Sequence, residues 1–193
     1  QGLKCWGDNL GGALGYGDEV ERGSSTGTMG ANLPTVSLGS AFASGVQIVA
    51  SRFYTTCVTA VSDPSVLKCF GEGSAGQLGL GDTVDRGSSL SQMGDALPAV
   101  LLGGTFGDIA ELSNNELHAC ALSTSGAVKC WGQGADGRLG TGDTFSRGNE
   151  PLEMGDALPA VNLGAGRTAT RVVCGRDHTC ALLDDASLKC WGS

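Results

Sequence analysis

The tetrapeptide Lys-Cys-aromatic-Gly recurs four times, as Lys4-Cys5-Trp6-Gly7, Lys68-Cys69-Phe70-Gly71, Lys129-Cys130-Trp131-Gly132 and Lys189-Cys190-Trp191-Gly192. The steps between its cysteines are 64, 61 and 60 residues. Spacing this regular means that one supersecondary unit has been copied and stacked, so fold and function must be built per unit. Units of about sixty residues are too small to bury independent cores and must lean on one another. The chain divides into residues 1–7, read as the last strand of an upstream blade, and repeats at 8–71, 72–132 and 133–193. Together these predict one continuous repeat domain that is part of a longer array.

Glycine supplies 33 of 193 residues and aromatics only 5%, which suits short strands and many turns and opposes long helices. An all-β fold is expected. The formal charge is −8 and all four lysines are the motif lysines, so no basic patch is left over for phosphates and nucleic-acid binding is not expected. No apolar run approaches the roughly 18 residues of a membrane helix, so membrane insertion is not expected either. A chain that opens on Gln1 without an initiating methionine fits a processed segment, which leaves secretion open.

Six of the eight cysteines form three local pairs. His118-Ala119-Cys120-Ala121-Leu122 and Ala127-Val128-Lys129-Cys130-Trp131 are alternating runs on either side of a turn-forming Ser123-Thr124-Ser125-Gly126, the pattern of a β-hairpin. If Leu122 lies opposite Val128, antiparallel register puts Cys120 opposite Cys130. Opposed residues at a non-hydrogen-bonded site are about 4.5 Å apart at Cα, within disulfide reach. The same register brings Cys180 to Cys190 and, around a longer loop, Cys57 to Cys69. Three cross-strand disulfides are predicted. Zinc ligation is the weaker alternative, because no Cys-x-x-Cys is present and only His118 and His178 add donors; reduced, buried cysteines are the other. Cys5 has its register partner upstream of Gln1. Cys174 aligns with Ala50 and Leu112, which makes it a buried core residue, unless it bridges to Cys5.

After each motif comes a leucine framed by glycines, in Gly12-Ala13-Leu14-Gly15, Gly76-Gln77-Leu78-Gly79 and Gly137-Arg138-Leu139-Gly140. This suits close backbone passage with positive φ; no Gly-Lys-Ser/Thr follows to make a phosphate loop. Aspartate and arginine then stand four residues apart as Asp18 with Arg22, Asp82 with Arg86 and Asp143 with Arg147. An internal loop clamp is the expected role, arginine holding carboxylate and carbonyl groups in its fork. A segment Met-Gly-x-x-Leu-Pro-x-Val-x-Leu-Gly and a last alternating run complete three to four short strands per unit.

His178-Thr179-Cys180-Ala181-Leu182, Leu188-Lys189-Cys190-Trp191-Gly192 and Gly76-Gln77-Leu78-Gly79-Leu80-Gly81-Asp82 together resemble the repeats of regulator of chromosome condensation (RCC1) proteins. The paired cysteines resemble more narrowly the long-repeat variety of secreted and surface proteins. The resemblance spans essentially the whole chain and implies a β-propeller of four-stranded blades, of which three units are present. The founding member is a nucleotide-exchange factor for a small GTPase that docks on chromatin. Its wedge and basic elements have no counterpart in this sequence, and no catalytic residue can be carried over. His118 and His178 occupy the family's histidine position, while the first unit has Arg52-Phe53-Tyr54-Thr55-Thr56-Cys57 there.

The expected function is a non-enzymatic extracellular structural or interaction module of disulfide-stapled repeats, assembling into a surface filament through its open ends. Its partners would be proteins or further copies of itself, with no cofactor. The alternative is an intracellular scaffold or guanine-nucleotide exchange factor. No metal triad points to catalysis, and Gly23-Ser24-Ser25-Thr26-Gly27, although it has the Gly-x-Ser-x-Gly spacing, lies in a turn-forming stretch without the strand-to-helix context of a nucleophile elbow. Asparagine sequons are absent, and Ser24-Ser25-Thr26-Gly27-Thr28 and Ser88-Ser89 could carry O-linked glycans.

Overall fold

In the computed structural model, which describes residues 2–193, each repeat closes with one antiparallel three-stranded sheet. The first holds β1 (Val46–Arg52), β2 (Thr55–Ala60) and β3 (Leu67–Gly71). The second holds β4 (Ile109–Asn114), β5 (His118–Ser123) and β6 (Val128–Gly132), and the third β7 (Ala169–Cys174), β8 (His178–Leu183) and β9 (Leu188–Gly192). Strand order follows chain order in every sheet, as expected where tight turns join neighbouring strands. Between the sheets the chain runs through long glycine-rich loops whose only helical pieces are three-residue 3-10 turns, among the described residues.

Among the described residues a fourth strand does not form as a continuous element. The outer strand of the first sheet is met by isolated bridges, Gly71 to Arg86 and Leu67 to Val100. Gly132 meets Arg147 in the same way in the second. Between Arg86 and Val100 the chain leaves the sheet through Gly87 at φ +112 and two 3-10 turns, then returns past Pro98, which has no N–H to give to a ladder. The edge that meets the first and second sheets therefore comes from the following sequence unit.

The core lies between sheets. One cluster joins the first sheet (Cys57, Leu67, Cys69) to the second (Ile109, Leu112, Ala119, Trp131). Another joins Cys120, Leu122 and Cys130 of the second to Val172, Cys174 and Ala181 of the third. All residues of β2, β3, β5 and β6 are buried, whereas β9 is exposed except for a half-buried Trp191. The motif aromatics follow the same gradient: Phe70 and Trp131 are fully buried and Trp6 is 62% exposed. Burying a side chain such as Phe70 contributes about 1.5 to 3 kcal/mol, and Met93 and Leu97 of the next unit join Val36, Leu38 and Phe42 of its own in supplying that burial.

The register corrects one sequence alignment. Cys174 pairs with Thr179, Asn114 with Ala119 and Ser51 with Thr56, each six residues before its hairpin cysteine. The positions equivalent to Cys174 are thus Ser51 and Asn114, not Ala50 and Leu112.

Candidate functional site at the sheet junctions

Each hairpin brings its two cysteines face to face. Cys57 is bonded to Cys69, Cys120 to Cys130 and Cys180 to Cys190, each pair with a Cα separation of 4.1 Å. The first two bridges are buried, because the following unit covers them. Cys5 and Cys174 are free thiols, so the bridge between them does not form within the chain. The reason is position: Cys5 packs on the Val36, Leu38 and Phe42 cluster of the first unit, and Cys174 belongs to the cluster between the second and third sheets.

The three acid–arginine pairs close their loops. Arg22 meets Asp18 at 2.7 Å, Arg86 meets Asp82 at 2.7 Å and Arg147 meets Asp143 at 2.8 Å. Arg22 and Arg86 also donate to the carbonyls of Val20 and Val84, and the Arg22 guanidinium lies over the Tyr16 ring. The hydrogen bond from Arg22 holds the Asp18 carboxyl below its ordinary pKa.

The motif lysines do what the sequence did not reveal. Lys68 donates to the carbonyl of Leu38 in its own unit at 2.9 Å and to that of Gly94 in the next at 2.8 Å. Lys129 repeats this with Leu102 at 2.7 Å and Gly155 at 2.9 Å. Burial lowers the pKa of both ammonium groups, against the opposing charge of Asp95 near Lys68 and of Asp156 near Lys129, and two carbonyls accept from each. Lys4 reaches Gly30 and Lys189 reaches Leu163, one carbonyl each. The recurrence of lysine in all four motifs was the available signal. Arg138, also missed, is buried and pairs with Asp136 at 3.2 Å and Asp177 at 3.1 Å.

The two family-position histidines differ. His178 is exposed, whereas His118 is fully buried at the second junction, its Nε2 3.0 Å from the Thr179 hydroxyl. Burial, aided by the Arg138 charge, pushes the His118 pKa down to about 4, so the imidazole is neutral. Cys174, close by, donates its S–H to the Ser113 carbonyl at 3.1 Å, and burial pushes its pKa up to about 12. In the first unit Thr55 takes the histidine's place, opposite Gly71 as His118 is opposite Gly132. Beyond the third sheet lies an open groove of about 760 Å³, bounded by Gly140, Asp143, Val161, Leu188, Lys189 and Trp191.

Residues 125–182 match the family profile described as "Regulator of chromosome condensation (RCC1) repeat". The Ultraviolet-B receptor UVR8 of Arabidopsis thaliana is 28% identical over 190 residues, which is 97% of this chain and 36% of that protein. This is an RCC1-like repeat chain. The Regulator of chromosome condensation of Mus musculus is 30% identical over 132 residues, covering 68% of the RCC1-like chain and 27% of its relative. Among solved structures, human WBSCR16 superposes with a TM-score of 0.70 at 19% identity, over 100% of this chain and 42% of that one. Yeast RCC1 (Prp20), solved with Kap60 bound, gives 0.62 at 18% identity over 97% of this chain and 38% of that one. These superpositions show the fold, β-propeller blades of the RCC1 type. The RCC1-like chain spans about a third of UVR8's length.

Proposed function

We propose that these RCC1-like repeats act as a non-enzymatic structural and protein-interaction module outside the cell. The observation that carries the reading is the recurrence of a cross-strand disulfide at the same register in all three sheets. Bridges of this kind persist in oxidising compartments and are rare where thiols are kept reduced. They fix the hairpins while the Asp–Arg pairs hold the loops, giving a stiff unit whose interactions are made at its faces. The open groove beside Trp191 and Lys189 fits a further repeat unit, and a second copy seated there would continue the array head to tail. Contacts of that sort propagate into a filament when nothing closes them.

Intact mass of the natively isolated protein before and after reduction tests the compartment. A gain of about 6 Da, two hydrogens for each of three bridges, is expected. Eight alkylatable thiols without reductant would defeat the extracellular reading. Electron microscopy of the same material separates discrete particles from filaments.

A second reading draws on the relatives. Yeast RCC1 (Prp20) was solved with Kap60 bound, and an acidic chain suits a basic partner. In this reading the repeats are an intracellular scaffold or exchange factor. Acceleration of nucleotide release from a small GTPase by micromolar protein would favour it, and no acceleration would discard the exchange role.

A further inference from the structure

At the second junction three metal-ligating side chains converge, one of them a sulfur of the Cys120–Cys130 bridge. A ring nitrogen of His118, Cys120 Sγ and Cys174 Sγ lie within 4.8 Å of one another, and all three residues are buried. They come from both sides of the junction, His118 and Cys120 from β5 and Cys174 from β7.

The hydrogen bonds assign the imidazole tautomer. The Thr179 hydroxyl donates its one proton to the Arg138 carbonyl at 2.9 Å, so towards His118 it can only accept, and Nε2 carries the ring proton. His118 Nδ1 is left as a bare lone pair, buried and without a hydrogen-bond partner. The set is not a by-product of the repeat. At the first junction the equivalent positions are Thr55, Cys57 and Asn114, and Asn114 is spent on a hydrogen bond to the Thr55 carbonyl at 2.9 Å.

We propose that His118, Cys120 and Cys174 form a binding site for a zinc-class divalent ion that becomes available when the Cys120–Cys130 bridge is reduced. Two thiolates and an imidazole are a donor set that zinc takes, with a fourth position open. A dithiol reductant gives two electrons and two protons to the bridge and is itself oxidised to a disulfide. Cys120 and Cys130 are thereby released as thiols. The ion then takes Cys120 and Cys174 as thiolates, and their two protons pass to solvent. While the bridge stands, the Cys120 sulfur has no charge to offer. One cysteine thus serves as staple or as ligand according to redox state.

The full chain carrying Cys130→Ala frees Cys120 while leaving the other two bridges in place. Titrated with Co²⁺ as a spectroscopic stand-in, it should take one equivalent with thiolate-to-cobalt charge-transfer absorption, and Zn²⁺ should displace it. The oxidised wild-type chain should show no such absorption. Adding Cys174→Ser or His118→Gln should abolish the band, with near-UV circular dichroism recorded on each variant. No band in Cys130→Ala, or a band that survives Cys174→Ser, overturns the site. Should Cys130→Ala not fold, the wild-type chain reduced with a dithiol and loaded with Zn²⁺ gives the answer by alkylation and mass mapping. Cys120 and Cys174 must be protected relative to Cys57 and Cys69, and equal labelling of all four refutes the proposal.

Discussion

The ammonium of Lys129, on β6, donates to the carbonyl of Gly155 in the following unit at 2.9 Å, and its second bond holds Leu102 in its own. A single side chain thus fastens two consecutive repeats. Its burial lowers the lysine pKa, so its worth depends on both carbonyls being in place. Lys129→Met keeps the stem and removes the charge, leaving two carbonyls without their donor. A loss of about 2 to 3 kcal/mol is expected, measured by chemical denaturation. Lys4, with one carbonyl and an exposed position, should cost far less when changed to Met.

Gly12 and Gly87 touch backbone to backbone across the first junction. A Cβ on Gly12 would stand 2.2 Å from the carbonyl carbon of Gly87, and its φ of +78 already disfavours any other residue. Gly12→Ala should therefore destabilise by at least about 2 kcal/mol. Gly30→Ala is a control for backbone strain alone, since it has positive φ but no neighbour within 4 Å, and should cost about 1 kcal/mol. Equal effects of the two would show that close packing at this junction does not matter.

Each hairpin bridge closes a short loop, with separations of 12, 10 and 10 residues. Double replacement of Cys57 and Cys69 by Ala should lower stability by about 2 to 4 kcal/mol. The exposed Cys180–Cys190 bridge should be the first that a dithiol reduces, because the other two are covered by the next sheet. Partial reduction followed by peptide mapping reads the order directly, and simultaneous loss of all three would contradict it.

Acid should loosen the loops before the sheets. Arg22 lowers the pKa of Asp18, and the Ser40 backbone N–H lowers that of Asp95. With a folded pKa below the unfolded one, the contribution is complete above about pH 4 and is lost as pH falls through the folded values. The melting temperature should hold from neutral pH down to that point and drop below it. Asp18→Asn should shrink the drop.

The hairpins were legible because antiparallel register is simple counting: once Leu122 faces Val128, Cys120 must face Cys130. The loop pairs were legible for a similar reason, since Asp18 and Arg22 are joined by a short stretch of chain that keeps them within reach. The fourth strand was not. Its residues, Arg86 and Val100, are fourteen positions apart and touch the sheet singly, so no alternating run announces them. The place of Cys174 was hidden too, because its neighbours His118 and Cys120 lie more than fifty residues away in sequence and belong to another sheet.

By itself the sequence determined the period, the three hairpins and the acid–arginine loops, all of which depend on contacts within a dozen or so residues that local geometry enforces. The tertiary structure alone decided what the repeats share: the lysine bonds from unit to unit, the burial of Phe70 and Trp131, and the meeting of His118 with Cys174. Those contacts arise where separate sheets pack face to face. The distance along the chain between their members places no constraint on which residues meet.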